Sequence, residues 1–138
     1  MIDEETTTRK LILYMEDNYQ NGRLVKKVLN AKGYDVILAE DGQSGLRIVE
    51  QEHLDLILLD INMPGIDGKE AATRLKNSPE YKHIPIVALT ALAMRGDREK
   101  ILAAGCDDYL PKPLNLTQLL EMVQKYIGAP SPDDSNYA

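Results

Sequence analysis

The chain has 138 residues, 43% hydrophobic and 28% charged, the balance of an ordinary globular protein with room for one core. A formal net charge of −6 argues against general nucleic-acid binding, which needs clustered Lys and Arg to neutralise phosphates. The single cysteine, Cys106, excludes an internal disulfide or a cysteine-based metal centre. No apolar run approaches the roughly 18 residues of a membrane span, and the polar start MIDEETTTRK does not read as a signal peptide, so the cytoplasm is the expected compartment.

In chain order, residues 1–9 read as a loose polar N-terminus. The run Leu11 to Met15 predicts a first strand, and the helical pattern after it should stop at Gly33. Val36 to Ala39 predicts a second strand, with Asp41 and Gly42 opening the next helix. Leu54 to Leu59, inside LDLILLD, suits a strand buried on both faces. Asp67-Gly68 falls in the loop that opens the third helix. Ile84 to Leu89 predicts the fourth strand, Gly105 the end of the fourth helix, and Tyr109-Leu110 a weaker fifth strand. Leu116, Leu119, Leu120, Val123 and Ile127 form one stripe on a final helix, capped by Asn115 with Gln118 three residues on and ended by Gly128. Strands alternating with helices imply βαβ units and a parallel sheet covered on both faces, a (βα)5 doubly wound α/β domain over residues 10–128. Residues 129–138 read as a loose tail.

In such sheets ligands bind beyond the carboxyl ends of the strands. The first strand exits into Glu16-Asp17, the third into Asp60, the fourth into Thr90 and the fifth into Lys112-Pro113. Any one of these alone is more commonly a helix cap or an ordinary polar residue after a strand. Together they deliver three carboxylates, a hydroxyl and an amine to one sheet edge. Converging carboxylates repel by about 4 kcal/mol per pair at ~4 Å and an effective dielectric near ~20, so a proton or a cation must sit among them. Carboxylates with a backbone carbonyl and open water positions suit Mg²⁺. Lys112 and Thr90 can then serve the oxygens of an incoming phosphoryl group, which equips a carboxylate to receive it without a separate base.

These residues resemble the receiver domains of two-component response regulators, the CheY-like superfamily. The matching segments are ILYMEDN (12–18), LILLDINMPGIDG (56–68), IPIVALTA (84–91) and DYLPKPL (108–114), in the family's order and spacing. The stretch from His83 to Leu114 most resembles single-domain regulators of the DivK type and the receivers of hybrid histidine kinases. The resemblance implies a flavodoxin-like sheet in the order 2-1-3-4-5, with Asp60 as phosphoacceptor. It implies Mg²⁺ held by Glu16, Asp17, Asp60 and the Asn62 backbone carbonyl, and a phosphoryl group contacted by Thr90 and Lys112. Tyr109 matches the aromatic switch position that follows Thr90 and signals through the face of the fourth helix, fifth strand and fifth helix. The acidic pair is Glu-Asp where many members have Asp-Asp, and Glu16, one methylene longer, is expected to reach the metal through water.

The expected partners are a histidine kinase or histidine phosphotransfer protein and a downstream protein target, with a phosphorylation-dependent dimer as a further expectation. About ten residues follow the last helix, so output through protein contact is expected, the alternative being a receiver module of a larger hybrid kinase or response regulator. The chain is expected not to be an enzyme beyond assisting its own phosphorylation and dephosphorylation. A phosphatase with an aspartate nucleophile typically carries a second aspartate two residues on, where this chain has Asn62. Leu92, two residues beyond Thr90, is expected to slow dephosphorylation because it cannot orient water. His53 and His83 read as isolated loop residues and Cys106 as a packing residue. The segment from Met94 to Ala104 reads as an amphipathic helix bordering a partner face.

Overall fold

Short apolar runs separated by longer amphipathic ones return the chain across a single sheet in the same direction each time. The computed structural model describes residues 9–63, 68–91 and 95–129. Its elements are β1 (Leu11–Met15), α1 (Tyr19–Ala31), β2 (Asp35–Ala39), α2 (Gly42–Gln51), β3 (Leu56–Asp60), α3 (Gly68–Lys76), β4 (Ile86–Thr90), α4 (Arg95–Ala103), β5 (Asp108–Pro111) and α5 (Leu116–Ile127). All strand pairs are parallel, in the order β2-β1-β3-β4-β5. This is the expected flavodoxin-like (βα)5 arrangement.

Alternate residues of each strand feed two cores. Ile12, Tyr14, Leu56, Leu58, Val87 and Leu89 meet Val25 and Leu29 of α1 and Leu119 and Val123 of α5. Leu13, Met15, Ile57, Leu59, Ile86 and Ala88 meet Val49 of α2, Ala71 and Leu75 of α3 and Ile101 of α4. With helices on both sides, every residue of β3 and β4 is buried. Register does the rest. Met15 lies opposite Leu59, so the next step along β1 brings Glu16 beside Asp60. Asp60 lies opposite Leu89 and Thr90 opposite Pro111, so the strand ends finish in one row.

The capping chemistry follows the sequence. Asp41 accepts from the Ser44 amide at 2.7 Å, and Asn115 accepts from the Gln118 amide at 3.0 Å. Gly33 and Gly105, with φ of 103° and 114°, follow α1 and α4 where the left-handed turn favours glycine. Two strands begin later than the apolar runs suggest, since β3 starts at Leu56 and β4 at Ile86. Leu54 and Ile84 are buried all the same, because an apolar side chain reports burial and not ladder pairing. Gly68 belongs to α3 rather than to the loop before it. A Cβ there would lie 2.7 Å from the Ile61 Cα and 2.8 Å from the Asp60 carbonyl oxygen, so α3 can start this close to the β3 exit only without a side chain. Arg9, expected in a loose terminus, donates to the carbonyls of Asn30, Gly33 and Tyr34. Of the expected tails at 1–9 and 129–138, residues 1–8 and 130–138 lie outside the described residues, as do Asp67, Leu92 and Met94.

Two glycine replacements separate packing from propensity. Gly68→Ala should lower stability by about 1–3 kcal/mol, the usual penalty of overpacking. Gly96→Ala, in open space within α4, should raise it by up to ~1 kcal/mol. Urea unfolding of both variants checks the pair, and effects of the same sign would contradict the close approach at Gly68.

Candidate functional site

The carboxyl edge of the sheet gathers its polar groups in a largely dry setting. Glu16 directly follows β1 and is 5% exposed, Asp60 ends β3 at 3%, and Thr90 ends β4 at 1%. Asp17 is exposed. One carboxylate oxygen from each of Glu16, Asp17 and Asp60 lies within 4.8 Å of the others. Lys112, the residue after β5, places Nζ 3.1 Å from Asp60 Oδ2 and 3.5 Å from Glu16 Oε1. Its backbone amide donates to the Thr90 carbonyl at 2.8 Å, which ties the turn after β5 to the end of β4. The following Lys112–Pro113 peptide is cis. On the other side of Asp60, Oδ1 accepts from the Asn62 amide at 3.0 Å. Thr90 lines a cavity of about 310 Å³ with Asn62, Lys69, Asp97 and Lys100.

Burial, and then the neighbouring Asp60 carboxyl, push Glu16 above its ordinary value, against hydrogen bonds from Tyr14 and Asn18 that favour the ionised form. Three carboxylates face one ammonium, so the cluster retains an excess of negative charge. Hard oxygen donors, two of them buried and one open to solvent, fit a small divalent cation that keeps part of its hydration shell. Among the described residues this is the group of His, Cys, Asp and Glu close enough to hold a metal ion.

The structure thus brings together Glu16, Asp17, Asp60, Thr90 and Lys112, with Asn62 at the rim. Tyr109 stands apart from them on β5, opposite Ala88, with its ring half-buried and the Arg98 guanidinium 5.6 Å from the ring centroid. Its neighbour Asp108 accepts from Lys125 Nζ at 2.9 Å and from the Tyr126 hydroxyl at 3.0 Å, so β5 and α5 share one polar seam. His53 and His83 line a common cavity of about 470 Å³ lying away from the acidic cluster, and among the described residues neither belongs to a group that could hold a metal ion. Cys106 is buried, and burial pushes its thiol up to about 12, as suits a packing residue. Tyr14 was not among the expected site residues, yet its hydroxyl donates to Glu16 Oε1 at 2.8 Å. Its position two residues before Glu16 on one strand face was a usable signal.

Residues 12–124 match the family described as the response regulator receiver domain. The polar-differentiation response regulator DivK of Brucella ovis is 38% identical over 119 residues, covering 86% of this chain and 97% of that protein. The receiver domain of the sensor histidine kinase PA1611 from Pseudomonas aeruginosa, solved with a magnesium ion coordinated in its active-site cleft, is 38% identical. It superposes with a TM-score of 0.79, covering 87% of this chain and 98% of that one. A chain from the co-crystal structure of the Saccharomyces cerevisiae phosphotransfer protein Ypd1 with the receiver domain of Ssk1 is 30% identical, with a TM-score of 0.80 over 86% of this chain and 88% of its own.

A ligand held only by the folded state at ~100 times its dissociation constant stabilises by about 2.7 kcal/mol. Mg²⁺ at that level should shift the urea midpoint of this chain accordingly, and Asp17→Asn should remove most of the shift. Only ionised carboxylates bind the cation. Because burial holds Glu16 above its ordinary value, the Mg²⁺-dependent gain should vanish on acidification at a higher pH than an ordinary glutamate would set. Equal urea midpoints with and without Mg²⁺ at neutral pH would contradict this account of the cluster.

Proposed function

We propose, from the premise that the chain belongs to the response regulator receiver family, that it is a phosphorylation switch whose phosphoacceptor is Asp60. The observation that carries this is the setting of the Asp60 carboxylate. It is buried at a strand end, with Lys112 on one oxygen, the Asn62 amide on the other and two further acids within 4.8 Å.

The phosphoryl donor is a phosphohistidine of a kinase or phosphotransfer protein. An Asp60 oxygen bonds to phosphorus as the bond from phosphorus to the donor's imidazole nitrogen breaks, and that nitrogen recovers a proton from solvent. Asp60 attacks in its ionised form, so no side chain is needed as base. Lys112 moves its ammonium from the carboxylate to a phosphoryl oxygen, and the Thr90 hydroxyl donates to another. Glu16, Asp17, Asp60 and the Asn62 carbonyl would hold Mg²⁺, which when bound supplies positive charge beside the transferred group. The same groups serve water-driven loss of the phosphoryl group, so the chain assists both directions of its own switching without being a conventional enzyme.

A phosphoryl group brings about −1.5 to −2 charge to Asp60. It draws Thr90 and Lys112 inward and favours an active arrangement in which Tyr109 turns into the space Thr90 leaves. The readout surface is then α4, β5 and α5, offered to a downstream protein or to a second phosphorylated copy. The likeness to DivK, 97% of whose length is matched, supports a single-domain regulator, and the likeness to a chain from the Ypd1–Ssk1 complex supports phosphotransfer partners. The 38% identity to the PA1611 receiver supports a second reading, a receiver module of a larger hybrid kinase.

Labelling by acetyl phosphate or by a phosphorylated kinase should require Mg²⁺ and should be abolished in Asp60→Asn. Retained, acid-stable label in that variant would remove Asp60 from its role.

A further inference from the structure

Glu16 sits where a longer acid has freedom that a shorter one lacks. It carries one more side-chain torsion than aspartate, and with Tyr14 and Lys112 it borders a cavity of about 320 Å³ whose far walls are Leu24, Val25, Leu114 and Leu116. Turned into that space, its carboxylate would leave Asp17 and Asp60. Three groups hold it instead. The Tyr14 hydroxyl donates to Oε1 at 2.8 Å, the Asn18 amide donates to Oε2 at 3.1 Å, and Lys112 Nζ stands 3.5 Å from Oε1.

Of these, the phenol is the most firmly anchored. Tyr14 is fully buried in the middle of the sheet, opposite Leu38 of β2 and Leu58 of β3, and packed in the same core as Val25 and Leu29. Its ring is held by that core, and Tyr14 itself lines the cavity that Glu16 borders. Lys112 is partly exposed and is shared with Asp60, so its attachment to Glu16 changes with the state of the phosphoacceptor. The Asn18 amide lies at the exposed start of α1 and fixes only the outer oxygen.

We propose that Tyr14 is a positioning residue for the cation site, its hydroxyl fixing the longer Glu16 in the direction of Asp17 and Asp60. Outer groups that orient metal-binding carboxylates typically account for 10- to 100-fold in metal affinity. The proposal rests on the cation reading of the acidic cluster and deepens it. In this arrangement the tyrosine and the glutamate form one unit, spaced two residues apart so that both project from the same face of the strand.

A double-mutant cycle tests it, with Mn²⁺ as the probe and free Mn²⁺ followed by electron paramagnetic resonance, a readout independent of phosphorylation. The proteins are the unmodified chain, Tyr14→Phe, Glu16→Asp and the double variant. Tyr14→Phe keeps the ring and its packing, and should weaken Mn²⁺ by about 10- to 100-fold. In the Glu16→Asp background the same change should alter affinity by less than about 2-fold, because the shorter acid does not reach the phenol. Unchanged affinity in Tyr14→Phe overturns the proposal, as does an equal loss in both backgrounds, which would mark a general disturbance of the fold. Absence of Mn²⁺ binding by the unmodified chain would instead overturn the cation reading itself.

Discussion

The rest of the structure is organised around the approach of the Glu16 and Asp60 carboxylates at the ends of two neighbouring strands. Their proximity follows from β1 and β3 being adjacent and in register, and it is unfavourable in itself. Burial makes it more so, which is why Glu16 is pushed toward its protonated form. Lys112 reaches both acids from the far end of β5, and the exposed Asp17 adds a third carboxylate open to solvent. The sheet therefore stores an unbalanced charge where it has least water to screen it. Such a place suits a cation, whose charge would offset the excess.

Much of this was legible in the sequence because two periodicities coincide. Apolar runs locate the strands, and the first polar residue after each run marks the edge where the chemistry collects. Glu16, Asp17, Asp60, Thr90 and Lys112 were all read this way, and the structure gathers them. Helix ends were legible for the same local reason, through Asn115, Asp41, Gly33 and Gly105. Strand beginnings were not. Leu54 and Ile84 are buried by tertiary packing before their strands start to pair, and only the neighbouring strand determines where the ladder opens. Gly68 was misplaced because its requirement is a close approach to Ile61 and Asp60, which the segment around it does not reveal. Tyr14 was hidden by its own apolarity, since inside LILYM a tyrosine reads as core, and it is core, apart from one oxygen.

The two faces of the sheet divide the site between them. On the side of α1 and α5 lie Tyr14 and the cavity it shares with Glu16 and Lys112, and these fix the acids. On the side of α3 and α4 lies the cavity bordered by Thr90, Lys69 and Lys100. Tyr109 packs against that second core too, beneath Arg98. Asp60 stands on the central strand between them, with one oxygen toward Lys112 and the other toward the Asn62 amide. Charge added there must be compensated from both sides at once. The side of α1 carries a buried phenol and a helix start beside a cavity of about 320 Å³. The side of α4 is bounded by a cavity of about 310 Å³ and by the half-buried Tyr109 ring. The two cavities are of similar size, so the halves differ in attachment rather than in space: the side of α1 holds Glu16 by the Tyr14 hydroxyl and the Asn18 amide, and the side of α4 presents Lys69 and Lys100 beside Thr90.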